Sequence, residues 1–393
     1  MKRILIAACA ALALSGSLAA QEAASGTIER AYGKYYEVRS ELGLSDAKAL
    51  AREMDLRFEV YERLFRFNPS TLNGKLRVYA FKDEASFDAY LKTALDDNRD
   101  GAAYLHYTRP ELCELALVRS SSAPQRIIAH QAFVQFLRSF VPYAPSWFRE
   151  GFAIFFETLT FDPVINDLTY EENLAWLDTV KKWGAKAPFP LSILSADTDE
   201  RIQIAPSQFQ PASWALVSFL LNADGEEYRR TLYESFMLLK PSANAAENSA
   251  LVGLHAAAWL DEKTAFKDYT DYIAVRRTFA ELIEDGRNAY GNKENAKAEL
   301  MFMAAADLRP SHYAPHYYLG LLSYDRKDYA LAENHYRSAL QLGADEALVN
   351  YALGVNAAAD GRNGDARNYL TRAKAVSPER YAAKADELLG RLK

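Results

Sequence analysis

Two side chains able to bind a metal or move a proton stand out in the middle of the chain. His130 lies in the segment His-Gln-Ala-Phe-Val, and Glu150 lies in Trp-Phe-Arg-Glu-Gly-Phe-Ala, twenty residues further on. Imidazole nitrogens and carboxylate oxygens are common zinc ligands, and both groups can act as general acids or bases. Catalytic zinc normally takes three protein ligands, so this pair alone is one ligand short.

The surrounding hydrophobic pattern predicts the elements that must position these two side chains. Strands of alternating or apolar character are expected at 76–81, 102–107 and 115–119, which implies a sheet of at least three strands. Helical periodicity and capping residues predict helices at 45–67, 87–94, 121–140, 146–159, 213–222, 226–239 and 249–259. His130 would then lie on one helix and Glu150 on the next. The proline-rich and polar stretch 184–211 is expected to be a surface excursion.

The order and spacing of these motifs resemble the gluzincin metallopeptidases, in particular their peptidase-MA-like domains. That family has a His-Glu-x-x-His helix followed by a Trp-x-x-Glu-Gly-x-Ala helix, and a later helix similar to the segment 210–216. The resemblance covers 35–273, with a sheet part to about 120, motif helices over 121–160 and a helical part over 161–273. It implies a zinc site of two histidines and a glutamate, with a second glutamate that accepts a proton from the metal-bound water.

Compared with the family pattern, this chain keeps only part of the zinc site. The resemblance places His130 at the first ligand position and Glu150 at the third. Val134, which has no lone pair for a metal, replaces the second histidine, and Gln131, whose amide does not accept protons near neutral pH, replaces the base. Ile154 replaces the polar residue that would orient His130. We therefore expect no catalytic residues, no bound metal and no peptide hydrolysis, with His130, Gln131 and Glu150 as vestiges of a lost site.

Two interpretations of the surviving residues stay open. In the first, His130 is a hydrogen-bonded core histidine, and Glu150 is an acid in the first turn of its helix, where the helix dipole favours negative charge. In the second, His106 from a neighbouring strand or Glu157 completes a rebuilt metal shell. The chain would then be an active metallopeptidase with zinc as its cofactor.

Other side chains give weaker signals for chemistry. The serines at 120–122 have no nearby histidine and are expected to form a loop that caps the next helix together with Pro124 in its first turn. Cys113 lies beside Glu111 and Glu114, whose charges disfavour the thiolate that a nucleophile needs. Glycine-rich phosphate loops are absent from the sequence. Neither a covalent catalyst nor a phosphate-binding loop is indicated.

The last hundred residues repeat with a period of 34. Gly286, Gly320 and Gly354 are 34 residues apart. Small residues and helix-ending residues recur in phase with these glycines: Ala298, Ala332 and Ala366; Ala305, Ala339 and Ala373; Pro310, Ala344 and Pro378. This segment resembles the tetratricopeptide repeats, which have this period and this pattern of small residues. The resemblance implies three helix-turn-helix repeats over 279–378 and a capping helix over 379–393.

Tetratricopeptide repeats bind partners along the groove formed by their first helices. By resemblance, the groove positions of this chain are Ile283, Arg287, Tyr290, Tyr317, Leu321, Tyr324, Tyr351 and Val355. The groove is therefore apolar and rich in tyrosine, which suits a protein or peptide segment held by aromatic contacts. The alternative is that several of these side chains pack against the preceding domain.

The N-terminus and the net charge limit the function classes. Residues 1–20 run from Lys2 and Arg3 through about 11 apolar residues to small residues, which predicts a cleaved secretory signal and a periplasmic or otherwise extracytoplasmic location. So short an apolar stretch would leave no stable membrane span, and lipid attachment at Cys9 is a lesser alternative. Without Lys2 and Arg3, 44 basic residues face 52 acidic ones and no basic cluster remains, which argues against nucleic acid as a partner.

These features together predict an α+β protein. A gluzincin-like domain, made of a small mixed sheet plus helices, would be followed by an all-α tetratricopeptide superhelix. The expected function is that of an extracytoplasmic protein-binding or assembly factor whose peptidase-like domain is catalytically degenerate. The alternatives are an active metallopeptidase with a rearranged zinc site, and a structural role in which the first domain only supports the repeats.

Overall fold

The structure is a computed structural model that describes residues 28–95, 99–119, 125–186, 194 and 206–392. The predicted signal peptide, the lesser option of lipid attachment at Cys9, and the predicted cap with Pro124 lie outside the described residues. The chain divides into two compact units, and the division falls between Val275 and Arg276.

The first unit begins with a five-stranded mixed sheet. Its strands are β1 (Glu29–Tyr32), β2 (Tyr36–Ser40), β3 (Leu76–Phe81), β4 (Ala102–Leu105) and β5 (Glu114–Val118). They lie in the order β1-β2-β3-β5-β4; β2, β3 and β5 are parallel, and each outer strand is antiparallel to its neighbour. Every residue of β5 is buried, as expected for a parallel strand covered on both faces. The three predicted strands are present, whereas β1 and β2 were not predicted.

The described part of the first unit also contains nine α-helices of seven residues or more, three short 3₁₀ helices and a small hairpin. The hairpin pairs β6 (Thr160–Asp162) with β7 (Asp167–Thr169). The helices are α1 (Leu44–Phe65), α2 (Glu84–Ala94), α3 (Gln125–Phe140), α4 (Ser146–Phe155), α5 (Leu177–Trp183), α6 (Pro206–Asn222), α7 (Glu226–Leu238), α8 (Ala245–Trp259) and α9 (Glu262–Val275). Two differences from the predicted bounds concern the helices around the candidate site. Helix α4 ends at Phe155, short of the predicted 159, and α6 begins at Pro206, inside the stretch expected to be a surface excursion.

An aromatic core fixes the helices that carry the candidate site. Phe65 of α1 contacts Phe133 of α3 and Phe152 of α4, with ring centroids 5.5 and 4.9 Å apart. Tyr61 packs edge-on against Phe133 and against Phe156, which follows α4. Such aromatic pairs each add about 0.5–1.5 kcal/mol beyond the burial of their area. The core therefore holds α3 and α4 in one fixed arrangement.

Gly151 allows α4 to lie directly against α6. A Cβ atom at this position would lie 2.4 Å from the carbonyl oxygen of Ser213 and 2.7 Å from Cγ2 of Val217. No side chain fits at these distances. The glycine that follows Glu150 in the sequence motif is therefore required by helix packing, and it places Glu150 next to this contact.

The second unit consists of helices that pack in consecutive pairs. The helices are α10 (Phe279–Gly291), α11 (Asn295–Leu308), α12 (Tyr313–Asp325), α13 (Tyr329–Gln341), α14 (Glu346–Ala359), α15 (Asn363–Val376) and α16 (Pro378–Arg391). Helices α10 and α11, α12 and α13, and α14 and α15 form three pairs, and α16 packs on α15. This arrangement is consistent with a helical-repeat superhelix.

The three glycines that recur every 34 residues are required for the same reason, which is close packing between paired helices. A Cβ atom at Gly320 would lie 2.5 Å from the ring of Tyr336 on the paired helix. The other two glycines face large side chains in the same phase: a Cβ atom at Gly286 would lie 2.6 Å from the ring of Phe302, and one at Gly354 would lie 2.7 Å from Leu370. Each glycine thus lets a large buried side chain fill the seam between the two helices of its pair.

The turn inside each pair also repeats. Lys293, Lys327 and Gly361, again 34 residues apart, adopt left-handed backbone conformations with φ of 62°, 65° and 78°. The residue after each of them donates its backbone N–H to a carbonyl near the end of the preceding helix. Three turns of one geometry explain why the three helix pairs have one period.

Candidate functional site

His130 lies between two carboxylates of the first unit. Its Nδ1 is 3.0 Å from Oε1 of Glu157, and its Nε2 is 3.8 Å from Oε2 of Glu150. Asn173, which is buried, donates to the main-chain carbonyl of Ile154 at 2.7 Å and approaches Oε2 of Glu157 at 3.4 Å. The imidazole therefore has a carboxylate partner on each ring nitrogen.

The imidazole of His130 has an orienting partner even though Ile154 is apolar. The sequence predicted that the partner would be lost, because a polar residue is usual at position 154 in the family, and that prediction is wrong. Ile154 is itself buried, and Glu157, in the turn after the early end of α4, takes over the contact with the imidazole. The shortened helix is what brings Glu157 to this place.

The side chains of His130, Glu150 and Glu157 do not converge on one point where a metal ion could be bound. The two ring nitrogens of an imidazole point in divergent directions, and here each faces a different carboxylate. Glu150 is also bound by its neighbour, since Arg149 Nε donates to its Oε1 at 3.1 Å. Among the described residues, no group of three or more His, Cys, Asp or Glu side chains is arranged to hold a metal ion.

Gln131 and Val134 occupy the positions of the missing base and the missing histidine. Oε1 of Gln131 accepts a hydrogen bond from the backbone N–H of Tyr104 at 3.2 Å, which ties α3 to the edge strand β4. Val134 is one turn from His130 and is nearly buried in the core. Both residues therefore have structural contacts of their own in this unit.

His106 lies with Cys113 at a different place in the first unit. Its Nδ1 is 3.9 Å from Sγ of Cys113, and burial is the main cause that lowers the pKa of the imidazole. Cys113 Sγ also accepts from the backbone N–H of Tyr107 at 3.3 Å. The structure thus brings Glu157, rather than His106, to His130.

The predicted groove residues lie on the first helices of the three pairs. Seven of the eight are half-buried, and Arg287 is exposed. Ile283 and Tyr290 pack against the core between the first two pairs. Tyr317, Leu321 and Tyr324 pack against the core between the second and third pairs. We call the row formed by Tyr290, Tyr317, Tyr324 and Tyr351 the tyrosine face.

The hydroxyl groups of the tyrosine face stay protonated well above neutral pH. Burial, aided by a hydrogen bond with Asp325, raises the pKa of Tyr290 to about 12. Burial, aided by the nearby Tyr381, raises the pKa of Tyr317 to about 12. Burial also raises the pKa of Tyr324. These hydroxyls can therefore donate hydrogen bonds at any physiological pH.

Three further residues beside the tyrosine face were not predicted. Asp325 is hydrogen-bonded to Tyr290, Tyr381 of α16 packs on Tyr351 with centroids 5.1 Å apart, and the charge of Glu387 acts on Tyr351. Asp325 ends a helix, and the other two belong to the capping helix, where the 34-residue phase does not repeat the same residue types. A periodic pattern alone could not reveal them.

The comparisons with known proteins show no family for this chain. No protein-family model matches the sequence, and no curated protein is similar to it. Among solved structures, it is similar to a chain of one titled "CopN-Scc3 complex", at 18% identity over 32% of this chain and 75% of that chain, with a TM-score of 0.27. So weak a likeness carries no conclusion about function. No helix among the described residues is long and apolar enough to cross a membrane.

Proposed function

We propose that this protein is an extracytoplasmic protein-binding or assembly factor. Its tetratricopeptide-like repeats hold an extended segment of a partner protein, and its first unit is a degenerate gluzincin-like domain without peptidase activity. The observation that carries the proposal is the tyrosine face, Tyr290, Tyr317, Tyr324 and Tyr351, on consecutive first helices of the array.

The chemistry of the tyrosine face suits a protein segment. Tyrosine offers a large rigid contact area at low cost in side-chain entropy, and it is enriched among the residues that dominate binding energy. The carboxylates of Asp325 and Glu387 lie beside the face and add negative charge. A partner segment with apolar side chains and a lysine or arginine would be complementary to this surface.

The degenerate first unit supports recognition over hydrolysis. The amide of Gln131 is bound to the backbone of β4, so no carboxylate is placed where the family has its base. His130 is held by Glu157 and faces Glu150 at a distance too long for a strong hydrogen bond. The predicted signal sequence supports the extracytoplasmic location.

The test compares the tyrosine face with the His130 cleft in the full chain. Tagged wild-type protein and two double variants, Tyr317→Ala with Tyr324→Ala and His130→Ala with Glu150→Ala, would be purified from the envelope of the native host. Truncating a dominant interface aromatic costs about 2 kcal/mol or more, so the first variant should recover its specific partner at least about thirtyfold less well. The second variant should recover it as the wild type does.

A matched control separates recognition from folding. Tyr369 lies on α15, the second helix of its pair, and its hydroxyl accepts from Arg337 at 3.0 Å. The variant Tyr369→Ala removes a tyrosine side chain that is not part of the tyrosine face. Its partner recovery should therefore stay near the wild-type level. Circular dichroism would show that all variants keep their helices. If the tyrosine-face variant binds normally while the cleft variant fails, the first unit is the recognition site and the proposal is wrong.

A further inference from the structure

The second unit contains three histidines, and all of them belong to the second helix pair. His312 caps the N-terminus of α12, His316 lies within that helix, and His335 lies on α13. The ring centroids of His316 and His335 are 5.8 Å apart, and both residues are half-buried. The side chains whose charge ordinarily changes between about pH 5 and pH 8 are therefore concentrated in this pair.

The ring of His316 cannot be charged in place without leaving a buried, unpaired donor. Its Nδ1 is buried and has no hydrogen-bond partner among the described residues. In a neutral imidazole this nitrogen can stay unprotonated, whereas both ring nitrogens carry a proton in the imidazolium. Burying a charged N–H group without an acceptor costs more than burying a bare ring nitrogen. The fold therefore favours the neutral form of His316.

The cap made by His312 also requires a neutral ring. Its Nδ1 accepts a hydrogen bond from the backbone N–H of Ala314 at 3.2 Å. A protonated Nδ1 cannot accept, and a positive charge is unfavourable at a helix N-terminus. The ring of Phe279 packs against His312, and the guanidinium of Arg309 lies 5.0 Å from the same ring. Charging His312 would therefore remove the cap and add a second cation on this side of α12.

The one carboxylate that acts on the facing histidines already has a partner. Glu299 of α11 is the acidic group whose charge acts on His335. Both of its oxygens are bound by the guanidinium of Arg326, with Nη1 at 2.7 Å from Oε1. Among the described residues, no other titratable group acts on either ring apart from the neighbouring histidine. An imidazolium at His316 or His335 would thus have no carboxylate of its own.

The pKa values of the two facing histidines are shifted in the direction that these contacts require. Burial lowers the pKa of His316. Burial, followed by the charge of His316, lowers the pKa of His335, and the charge of Glu299 opposes this shift in part. A histidine of an unfolded chain has a pKa of about 6.5, so the unfolded state binds more protons below that pH. Stability that is fully present above about pH 6.5 is therefore lost as the pH falls towards the folded pKa.

We propose that the second helix pair is an acid-sensitive switch, in which protonation of its three histidines loosens the contact between α12 and α13 and disorders the tyrosine face on α12. Tyr317 of the tyrosine face follows His316 directly in α12. Tyr336, whose buried ring lies against Gly320, follows His335 in α13. Release of a bound partner in acid is the consequence for function. That consequence rests on the proposed function, whereas the acid sensitivity itself does not.

Hydrogen–deuterium exchange of the full chain at about pH 7.5 and about pH 5.5, one unit on either side of the unperturbed histidine pKa, tests the proposal. Ordinary carboxyl groups have pKa values of about 4 and stay ionised at both pH values, so the histidines dominate the response. The rates are corrected for the intrinsic pH dependence of exchange. At the lower pH, peptides from α12 and α13 should then lose protection by up to about tenfold for each imidazole that the folded state keeps neutral.

Two variants assign the effect to these histidines. The triple variant His312→Asn, His316→Gln and His335→Gln leaves no histidine in the pair, and asparagine keeps an N-cap for α12. Its protection should be nearly the same at both pH values. His255→Gln is the matched control, because it removes a half-buried histidine of the first unit and should lose protection in α12 and α13 as the wild type does. Circular dichroism at the higher pH shows that both variants are folded.

Titration of the imidazoles themselves provides a second measurement. In NMR spectra of the wild type with isotope-labelled histidine, the signals of His316 and His335 should titrate below about pH 6.5. The proposal is overturned if both titrate at or above that value, if wild-type α12 and α13 keep their protection at the lower pH, or if the triple variant loses as much protection as the wild type. Partner recovery that is equal at both pH values, despite the lost protection, would contradict the proposed function and leave the acid sensitivity established.

Discussion

At the scale of single residues, the orientation of the His130 imidazole depends on its contact with Glu157. A metal-binding histidine usually has a carboxylate or carbonyl partner on its second nitrogen, and Glu157 supplies such a partner here. The nitrogen that remains faces Glu150, whose other oxygen is bound by Arg149. The orienting contact of a zinc histidine is therefore present, while the second histidine is replaced by Val134.

The purified protein should hold far less than one zinc ion per molecule. Only His130 and Glu150 retain ligand chemistry at the family's positions, and zinc in catalytic sites needs three protein ligands. Elemental analysis after zinc loading and dialysis measures the stoichiometry. The variant Gln131→Glu with Val134→His restores both side chains of the motif, so its zinc content should rise above that of the wild type.

One result would reverse this interpretation. Stoichiometric zinc in the wild type, lost in His130→Ala and accompanied by chelator-sensitive cleavage of a peptide library, would establish an active metallopeptidase with a rebuilt site. Glu157 would then be the first candidate for the added ligand, because its carboxylate already contacts the imidazole of His130.

The sequence predicted the residues of this site better than their contacts. His130, Gln131 and Glu150 could be singled out because their types and spacing follow a motif. The contact with Glu157 could not, because it depends on the early end of α4 and on Asn173, which lies beyond the β6–β7 hairpin. Hydrogen bonds made by residues that follow a helix have no period that a sequence pattern could reveal.

At the scale of elements, the sequence predicted the strands and helices that have a periodic hydrophobic pattern, and it missed an element that depends on a tertiary contact. Strand β3 has the bounds that its alternation predicted, 76–81. The hairpin of β1 and β2 was missed because a distant side chain secures it: the carboxylate of Asp55 on α1 accepts from the backbone N–H groups of Lys34 and Tyr35. A Cβ atom at Gly33 would collide with that carboxylate. Such a contact, about twenty residues away, leaves no local pattern.

Replacing Gly320 by alanine should destabilise the second helix pair. The added Cβ atom would lie 2.5 Å from the buried ring of Tyr336, which cannot move away without opening the seam. Overpacking of this kind costs about 1–3 kcal/mol. Urea unfolding followed by circular dichroism would measure the loss of stability.

Gly364→Ala is the matched control for that change. Gly364 lies in α15, where a Cβ atom would meet nothing within 4 Å and the backbone is compatible with any residue. Alanine should therefore leave stability unchanged or raise it by up to about 1 kcal/mol through its better helix propensity. If both substitutions destabilise the protein equally, the close approach of Tyr336 is not the reason why position 320 requires glycine.

At the scale of the whole molecule, the chain has separate hydrophobic cores in its two units. The core of the first unit contains buried residues from the five-stranded sheet and from all nine helices, α1 to α9. The cores of the second unit lie within and between its helix pairs and contain residues from 276–393 alone. The 34-residue period marked out the second unit in the sequence, whereas the first unit was recognised only from a resemblance that the comparisons do not confirm.

Because each unit has its own core, thermal unfolding of the full chain should show two transitions in a calorimeter. Gly151→Ala forces a Cβ atom to within 2.4 Å of the Ser213 carbonyl and should lower only one of them, and Gly320→Ala should lower only the other. A loss of 1 kcal/mol lowers the midpoint by about 2–4 °C in a domain of the size of the first unit and by more in a smaller one. Sites in separate cores share no partners, so the double variant should show both shifts with unchanged size. A single transition that moves with either substitution would instead mean that the two units unfold as one cooperative body.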